Sequence, residues 1–364
     1  MPNRNVDPVE DLLARKPLQL DLKSAREKIL GSNVAITGAA GSIGSELCRQ
    51  VLDCGVRSLL CIDQNETGIF YLQSELTRAD PDQKLIFRVA DASDGSLMRR
   101  LFRTHSPEVI FHAAAYKHVP LMEHNTCAAV KNNVFGLLNI LEAAQETCCE
   151  TFVLISSDKA VNPVSVMGAT KRIGELIVAA RMQNDLRCIS VRFGNVLFSR
   201  GSVLETLRQQ LCANQPLTVT HPEAFRFFMT GDEAASLLLQ AFVAGEPGDI
   251  LVLETGEPRR ILDLVKAFIR SMGKDEQQVP IKFTGLREGE KLTEELFYTE
   301  EQIISTRFPN VKRARSKIVN SDLPDLLEEL NNATQGREME AVHAAMRKIV
   351  PEYSSPPNSI YRTA

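Results

Sequence analysis

The chain has 364 residues, with 42 Lys and Arg against 46 Asp and Glu, a formal net charge of −4 and 44% hydrophobic residues. That length suits roughly two domains, or one large α/β unit with an appended lobe, around a sizeable core. No run of five or six like charges occurs, so no polycationic face for nucleic acid is expected.

Residues 1–20 carry Arg4, Asp7, Glu10, Asp11, Arg15 and Lys16, too charged for a signal peptide, and no apolar run reaches the ~18 residues of a membrane span. Residues 1–30 are expected to form an arm with a short helix. From there, short β-rich runs alternate with helix-like stretches. The strands expected are NVAITG (33–38), SLLCID (58–63), KLIFRVAD (84–91), EVIFHAAA (108–115), TFVLISS (151–157) and CISVRFGN (188–195). Between most of them lie SELCRQVLDCG, GSLMRRLFRTH, NNVFGLLNILEAAQE and VMGATKRIGELIVAARM. This alternation predicts an α/β fold, a doubly wound parallel sheet of Rossmann type, with its ligand beyond the carboxyl ends of the strands. Beyond residue 195 a helix around DEAASLLLQAFVAG and a strand DILVLETG precede LREGEKLTEELF and a helical tail, which reads as a smaller lobe closing over the sheet. The division expected is an arm over 1–30, a dinucleotide-binding unit over 31–195, a substrate lobe over 196–350 with segments returning to the core, and a tail over 351–364.

Eight cysteines, at 48, 54, 61, 127, 148, 149, 188 and 212, include no Cys-x-x-Cys pair, and the six histidines lack ligand spacing. Reduced thiols in a cytoplasm are expected, with neither a disulfide framework nor a metal site.

TGAAGSIG follows the first strand directly and opens a helix. Gly38, Gly41 and Gly44 permit a tight turn, close approach of backbone to a pyrophosphate and close helix packing, and the helix start at Ser42 and Ile43 adds partial positive charge. A strand-to-helix turn that merely needs flexible residues is the plainer reading of the glycines alone. The second strand, however, ends in Asp63, 19 residues beyond Gly44, where a carboxylate binds both ribose hydroxyls of an adenosine and repels a 2′-phosphate, favouring NAD over NADP. Asp91, followed by Ala92, ends the third strand as a partner for the adenine amino group. Ala113 and Ala114, in HAAA, let a cofactor lie against the backbone.

TGAAGSIG, Asp63, Asp91, HAAAYKHV, NNVFGLLNILEAA and SSDKAVNPVSVMGATKR, in that order, resemble the extended short-chain dehydrogenase/reductase superfamily. Within it the chain is most similar to the nucleotide-sugar 4,6-dehydratases, in particular the UDP-N-acetylglucosamine 4,6-dehydratases of the polysaccharide-biosynthesis type. The resemblance covers nearly the whole chain, and AAAYKHVPLME and SDKAVNP…MGATK are its most specific segments. Longer relatives carry membrane segments ahead of this region, so the resemblance implies the soluble catalytic part of a longer membrane-anchored protein, or a naturally short form. It also implies a homo-oligomer, with NNVFGLLNILEAA among the contacting helices.

What the resemblance implies chemically is hydride removal from sugar C4, elimination of water across C5 and C6, and return of the hydride to C6. It assigns Asp158 as general acid, Lys159 as the base at C5 and Ser157 as a partner of the C4 oxygen. Both ionisable groups then need pKa values moved toward neutrality. Met167 stands where the superfamily has a tyrosine, and none of the five tyrosines is followed four residues later by lysine. Lys171 lies one helical turn from Met167 and is expected to bond the nicotinamide ribose. Proton loss from the C4 hydroxyl is left to Lys171, or to a water or substrate group held by Ser157. Methionine-bearing members of the branch are associated with retention at C5. In the lobe, Asn195, Arg226 and Arg287 match residues that grip a UDP-sugar diphosphate and ribose, Glu290 a ribose partner, and SRGSV, with Ser202 and Val203, the uracil wall. Lys117 and His118 are placed toward the hexose. A UDP-sugar epimerase and a non-catalytic NAD-binding protein are the alternatives.

Overall fold

The computed structural model describes residues 8–79, 84–147, 149–181, 186–315 and 321–354. Residues 1–7 of the expected arm, Cys148 and residues 355–364 of the expected tail lie outside them.

Nine strands form one sheet: β1 (Asn33–Thr37), β2 (Ser58–Asp63), β3 (Lys84–Val89), β4 (Val109–His112), β5 (Thr151–Ile155), β6 (Arg187–Arg192), β7 (Ile250–Leu253), β8 (Gln302–Ser305) and β9 (Val311–Arg315). Their spatial order is β8-β9-β7-β6-β5-β4-β1-β2-β3. The run from β7 to β3 is parallel, whereas β9 pairs antiparallel with both β7 and β8. Strands buried on both faces, such as TFVLI and ILVL, read as unbroken apolar runs, as expected of a covered parallel sheet. Chain order reverses between β1 and β4, which opens a crevice at their carboxyl ends.

Three helices position the site: α1 (Ser42–Asp53), α2 (Val166–Ala179) and α3 (Gly231–Ala244). The α2 start is capped by Ser165, whose hydroxyl accepts from the Gly168 amide at 3.1 Å, and by the Glu123 carboxylate, which accepts from the Val166 amide at 2.8 Å. Thr230 and Glu233 close a capping box on α3. One face of the sheet packs under α2 and the helix Gly136–Gln145, the other under α1 and α3. The tail helices Leu323–Gly336 and Met339–Ile349 bury Leu330, Val342 and Met346 in the α2-side core, the one that also holds Val166 and Met167, and not in the lobe.

The lobe has its own core of Leu204, Leu207, Leu264 and Phe268. In place of one short arm helix the structure has two, Pro8–Leu13 and Lys23–Ile29. Leu12 and Leu13 of the first are buried in the lobe core, and Ala25 and Ile29 of the second in the sheet core. Arg15 between them pairs with the fully buried Glu233 at 2.6 Å. The polypeptide passes between lobe and sheet repeatedly: 231–253 and 302–315 belong to the sheet, while 203–230 and 254–301 build the lobe and its contacts.

Candidate active site

The first half of the site is the crevice at β1 and β4. Gly38 sits at φ +68°, and a Cβ there would lie 2.6 Å from the Ala113 carbonyl carbon and the Ala114 nitrogen, so only glycine lets the β1 turn rest on the end of β4. A Cβ at Gly44 would collide with Gly38, which packs α1 against the turn. The first turn of α1 has no side-chain cap, so its amides are available to an anion. Thr37, Gly38, Gly41, Asp63, Asp91, Ala92, Ala113 and Ala114 line one cavity. The Asp63 oxygens accept from the Ala40 amide at 3.0 Å and the Asn65 amide at 2.9 Å, and each keeps a lone pair for a hydroxyl. These features fit the adenosine diphosphate half of a dinucleotide. Ser42 Oγ accepts from the Arg200 amide at 2.9 Å, which brings the 199–203 loop onto the glycine turn.

The second half lies just past β5. Ser157 leads into a short 3₁₀ turn, Asp158–Ala160, that places two donors on one carboxylate oxygen. Ser157 Oγ donates to Asp158 Oδ1 at 2.9 Å, and Lys159 Nζ donates to the same atom at 2.9 Å. Asp158 is completely buried, and its other oxygen has no partner among the described residues. A buried carboxylate oxygen without a donor is costly; a ligand hydroxyl would satisfy it. Lys159 Nζ also donates to Asn195 Oδ1 at 3.1 Å.

The charge on this pair differs from the sequence expectation. Burial alone would lower the Lys159 ammonium, but the Asp158 and Glu294 carboxylates outweigh it and raise its pKa above the ordinary lysine value. Without ligand, Lys159 is therefore a cation, not a free amine.

Met167 is buried, on the first turn of α2, among apolar core residues. Lys171 Nζ donates to the Ile155 carbonyl at 2.9 Å, at the end of β5, and burial lowers its pKa to about 8, against a raising effect from Glu175. His112, at the end of β4, meets Thr37 Oγ1 at 2.7 Å, and burial with the nearby Lys171 charge holds it neutral, its pKa lowered to about 3.

The lobe residues reach this turn as a chain of contacts. Arg226 pairs with Glu290 at 3.1 Å, Glu290 accepts from the Arg287 amide at 3.1 Å, and the Arg287 side chain stays exposed. Ser202, at the start of the helix Val203–Cys212, has a buried hydroxyl without a partner. His118 lies against Gly201, and Lys117 Nζ reaches Ser199 Oγ at 3.5 Å, so this pair lies beside the 199–203 loop.

Sequence reasoning passed over the segment 291–301. Lys291 Nζ donates to the Val161 carbonyl at 2.8 Å, Tyr298 Oη donates to the Ala160 carbonyl at 2.7 Å, and Glu294 Oε1 lies 3.6 Å from Lys159 Nζ. Arg192, fully buried, joins Glu175 of α2 at 2.8 Å to Glu301 at 2.9 Å. The signal available was an acidic pair, Glu294-Glu295, set between apolar residues. Among the described residues no cluster of His, Cys, Asp or Glu is placed to hold a metal ion, and no helix is long and apolar enough to cross a membrane.

A family model described as polysaccharide biosynthesis protein matches residues 34–316. A probable polysaccharide biosynthesis protein of Bacillus subtilis, EpsC, is 45% identical over 321 residues, which cover 87% of this chain and 53% of EpsC. The capsular polysaccharide biosynthesis protein CapD of Staphylococcus aureus is 39% identical over 328 residues, covering 89% of this chain and 55% of CapD. The chain thus spans about half the length of these relatives. Among solved structures, Pen from Bacillus thuringiensis matches with a TM-score of 0.74 and 30% identity, over 79% of this chain and 90% of Pen. DesIV, a dTDP-glucose 4,6-dehydratase from Streptomyces venezuelae solved with NAD, matches with a TM-score of 0.64 over 72% of this chain and 87% of DesIV; at 21% identity that likeness is one of fold.

Proposed function

The chain belongs to the polysaccharide biosynthesis protein family, and from that premise we propose that it is an NAD-dependent 4,6-dehydratase of UDP-N-acetylglucosamine. The product is the UDP-2-acetamido-2,6-dideoxy-hexos-4-ulose with C5 configuration retained. A nucleotide-sugar substrate and NAD agree with the family and with the crevice. One observation supports the finer reading: an amine and a hydroxyl, from Lys159 and Ser157, converge on the carboxyl of Asp158 at the carboxyl end of β5.

The bound dinucleotide supplies hydride acceptance from C4 and hydride return to C6. Around it, Lys171 contributes a positive charge that eases proton loss from a sugar hydroxyl. Lys159 and Asp158 share one proton across 2.9 Å. The resting ion pair and its neutral form differ only in where that proton sits, and the neutral form is an amine base beside a carboxylic acid. A substrate that expels water favours the neutral form, because two buried charges disappear together. Lys159 then takes the C5 proton, exchanges it with solvent and delivers a solvent-derived proton back to C5, while Asp158 protonates the departing C6 hydroxyl. The C4 hydroxyl proton passes to solvent by way of a water held at Ser157 as hydride leaves, and after elimination one solvent proton restores Asp158 through the same hydroxyl. The proton count closes over the cycle without a tyrosine, so Met167 has no proton to accept.

Asn195, Arg226, Arg287 and Glu290 hold the diphosphate and ribose in this reading, Ser202 and Val203 the uracil, and Lys117 and His118 the hexose. Seven described cysteines are free thiols, in keeping with a cytoplasmic setting. Self-association belongs to the same reading; sedimentation equilibrium at micromolar protein, showing a mass above one chain, is the expected result.

Incubation of the purified protein with UDP-N-acetylglucosamine in deuterated water, followed by NMR and mass spectrometry, tests the reading. The expected product is lighter by one water and carries deuterium at C5. An isomer of unchanged mass with altered C4 makes the chain an epimerase, and an unchanged substrate makes it a non-catalytic NAD-binding protein.

A further inference from the structure

Glu294 comes from the lobe, yet its carboxylate is buried beside the catalytic turn, with 3% of its side chain exposed. Its Oε1 lies 3.6 Å from Lys159 Nζ and 3.8 Å from Arg226 Nε. Its Oε2 is buried without a partner, as is Asp158 Oδ2. Two buried carboxylates with unsatisfied oxygens therefore flank one ammonium. Such an arrangement persists only when the surrounding structure enforces it. The enforcement is visible: Lys291 and Tyr298, on either side of Glu294, are bonded to the carbonyls of Val161 and Ala160.

We propose that Glu294 is a positioning residue for Lys159: its carboxylate holds the Lys159 ammonium against Asp158 and Asn195 and keeps it charged. The charged groups facing Lys159 are Asp158 from its own turn, Glu294 from the lobe segment, and Arg226, which opposes them. Those facing Glu294 are Lys159, Asp158, Arg226 and Lys291; burial raises its own proton affinity first, and Asp158 adds to it. Arg226 touches both Glu294 and Glu290, so a diphosphate engaging Arg226 acts on the same network. For its catalytic consequence the proposal rests on the dehydratase reading.

Lysine labelled with ¹³C at Cε lets the Lys159 titration be followed by NMR in the ligand-free full chain, its signal identified by its loss in Lys159→Met. In Glu294→Gln the Lys159 midpoint falls by roughly one to three pH units, the effect of removing an opposite charge at this range. Glu294→Asp, which keeps the charge, moves it less, and decides the matter should the glutamine variant fail to fold. The alkaline fall in turnover, which marks loss of the proton shared by Lys159 and Asp158, moves to lower pH in the same order. An unmoved midpoint overturns the proposal, as does a loss of turnover uniform across pH. Wild-type protein that titrates as stated yet neither dehydrates the sugar nucleotide nor exchanges C5 sinks the dehydratase reading and leaves the Lys159–Glu294 relation intact.

Discussion

At Asp158, one carboxylate oxygen receives a hydroxyl and an ammonium while the other receives nothing. Asp158→Asn keeps the shape and removes the transferable proton, so turnover should fall by about 10²- to 10⁴-fold, the range for one positioned acid, as read by product NMR. Lys159→Ala should abolish deuterium incorporation at C5, and full exchange in that variant would refute its role as base. Met167 separates packing from chemistry. It is buried in the α2-side core, so Met167→Ala should cost roughly 2–5 kcal/mol in urea unfolding, while each folded molecule keeps substantial turnover. Met167→Leu should be close to wild type in both measurements. Ser157, Asp158, Lys159, Met167 and Lys171 are named through the family resemblance, whose motif keeps them contiguous or one helical turn apart. The sequence hid Glu294, because the contact with Lys159 spans 135 positions and no local pattern encodes it. The raised proton affinity of Lys159 comes first from the adjacent Asp158 and next from that distant carboxylate.

At the scale of elements, strand and helix alternation was legible because each has its own period and the parallel strands are apolar throughout. The cofactor crevice was legible too, since its glycines and Asp63 sit at fixed distances from strand ends. What local pattern could not supply was partnership: that one arm helix joins the lobe and the next the sheet, that the tail helices cover α2, or that β9 turns antiparallel. The cap of α2 shows such a partnership at work. Burial raises the Glu123 carboxyl to about 7, helped by Glu288 and opposed by its bond from Val166. The folded chain thus keeps this proton up to about pH 7, whereas the unfolded chain releases it near the ordinary glutamate value of 4.5. Stability contributed by Glu123 is therefore present below pH 4.5 and lost as pH rises through 7. Glu123→Gln, which can still accept from Val166, should unfold at higher urea than wild type at pH 8, by up to about 3 kcal/mol, with the difference vanishing near pH 4. A difference independent of pH would refute the assignment.

For the molecule as a whole, the decisive contacts join the lobe and the sheet. Arg15 is the main partner of a carboxylate with no exposure to solvent, and Glu233 also caps α3. Arg15→Ala leaves that charge buried, and should lower stability by roughly 3 kcal/mol, the low end for breaking a buried pair, as measured by thermal unfolding. Because Arg15 also donates to the Phe228 carbonyl in the lobe, protease nicking in the 220–230 region should increase in the same variant. The Arg192 bridge and the 291–301 clamp make similar joints elsewhere.

The interleaving of chain between lobe and sheet has a consequence for engineering. A specificity lobe carried by one uninterrupted stretch could be exchanged between homologues as a cassette, but here the donor material would have to arrive in several separate pieces, each flanked by strands native to the host. Chimeras cut at a single junction should come out insoluble, and a new ligand preference in this scaffold calls for scattered point changes.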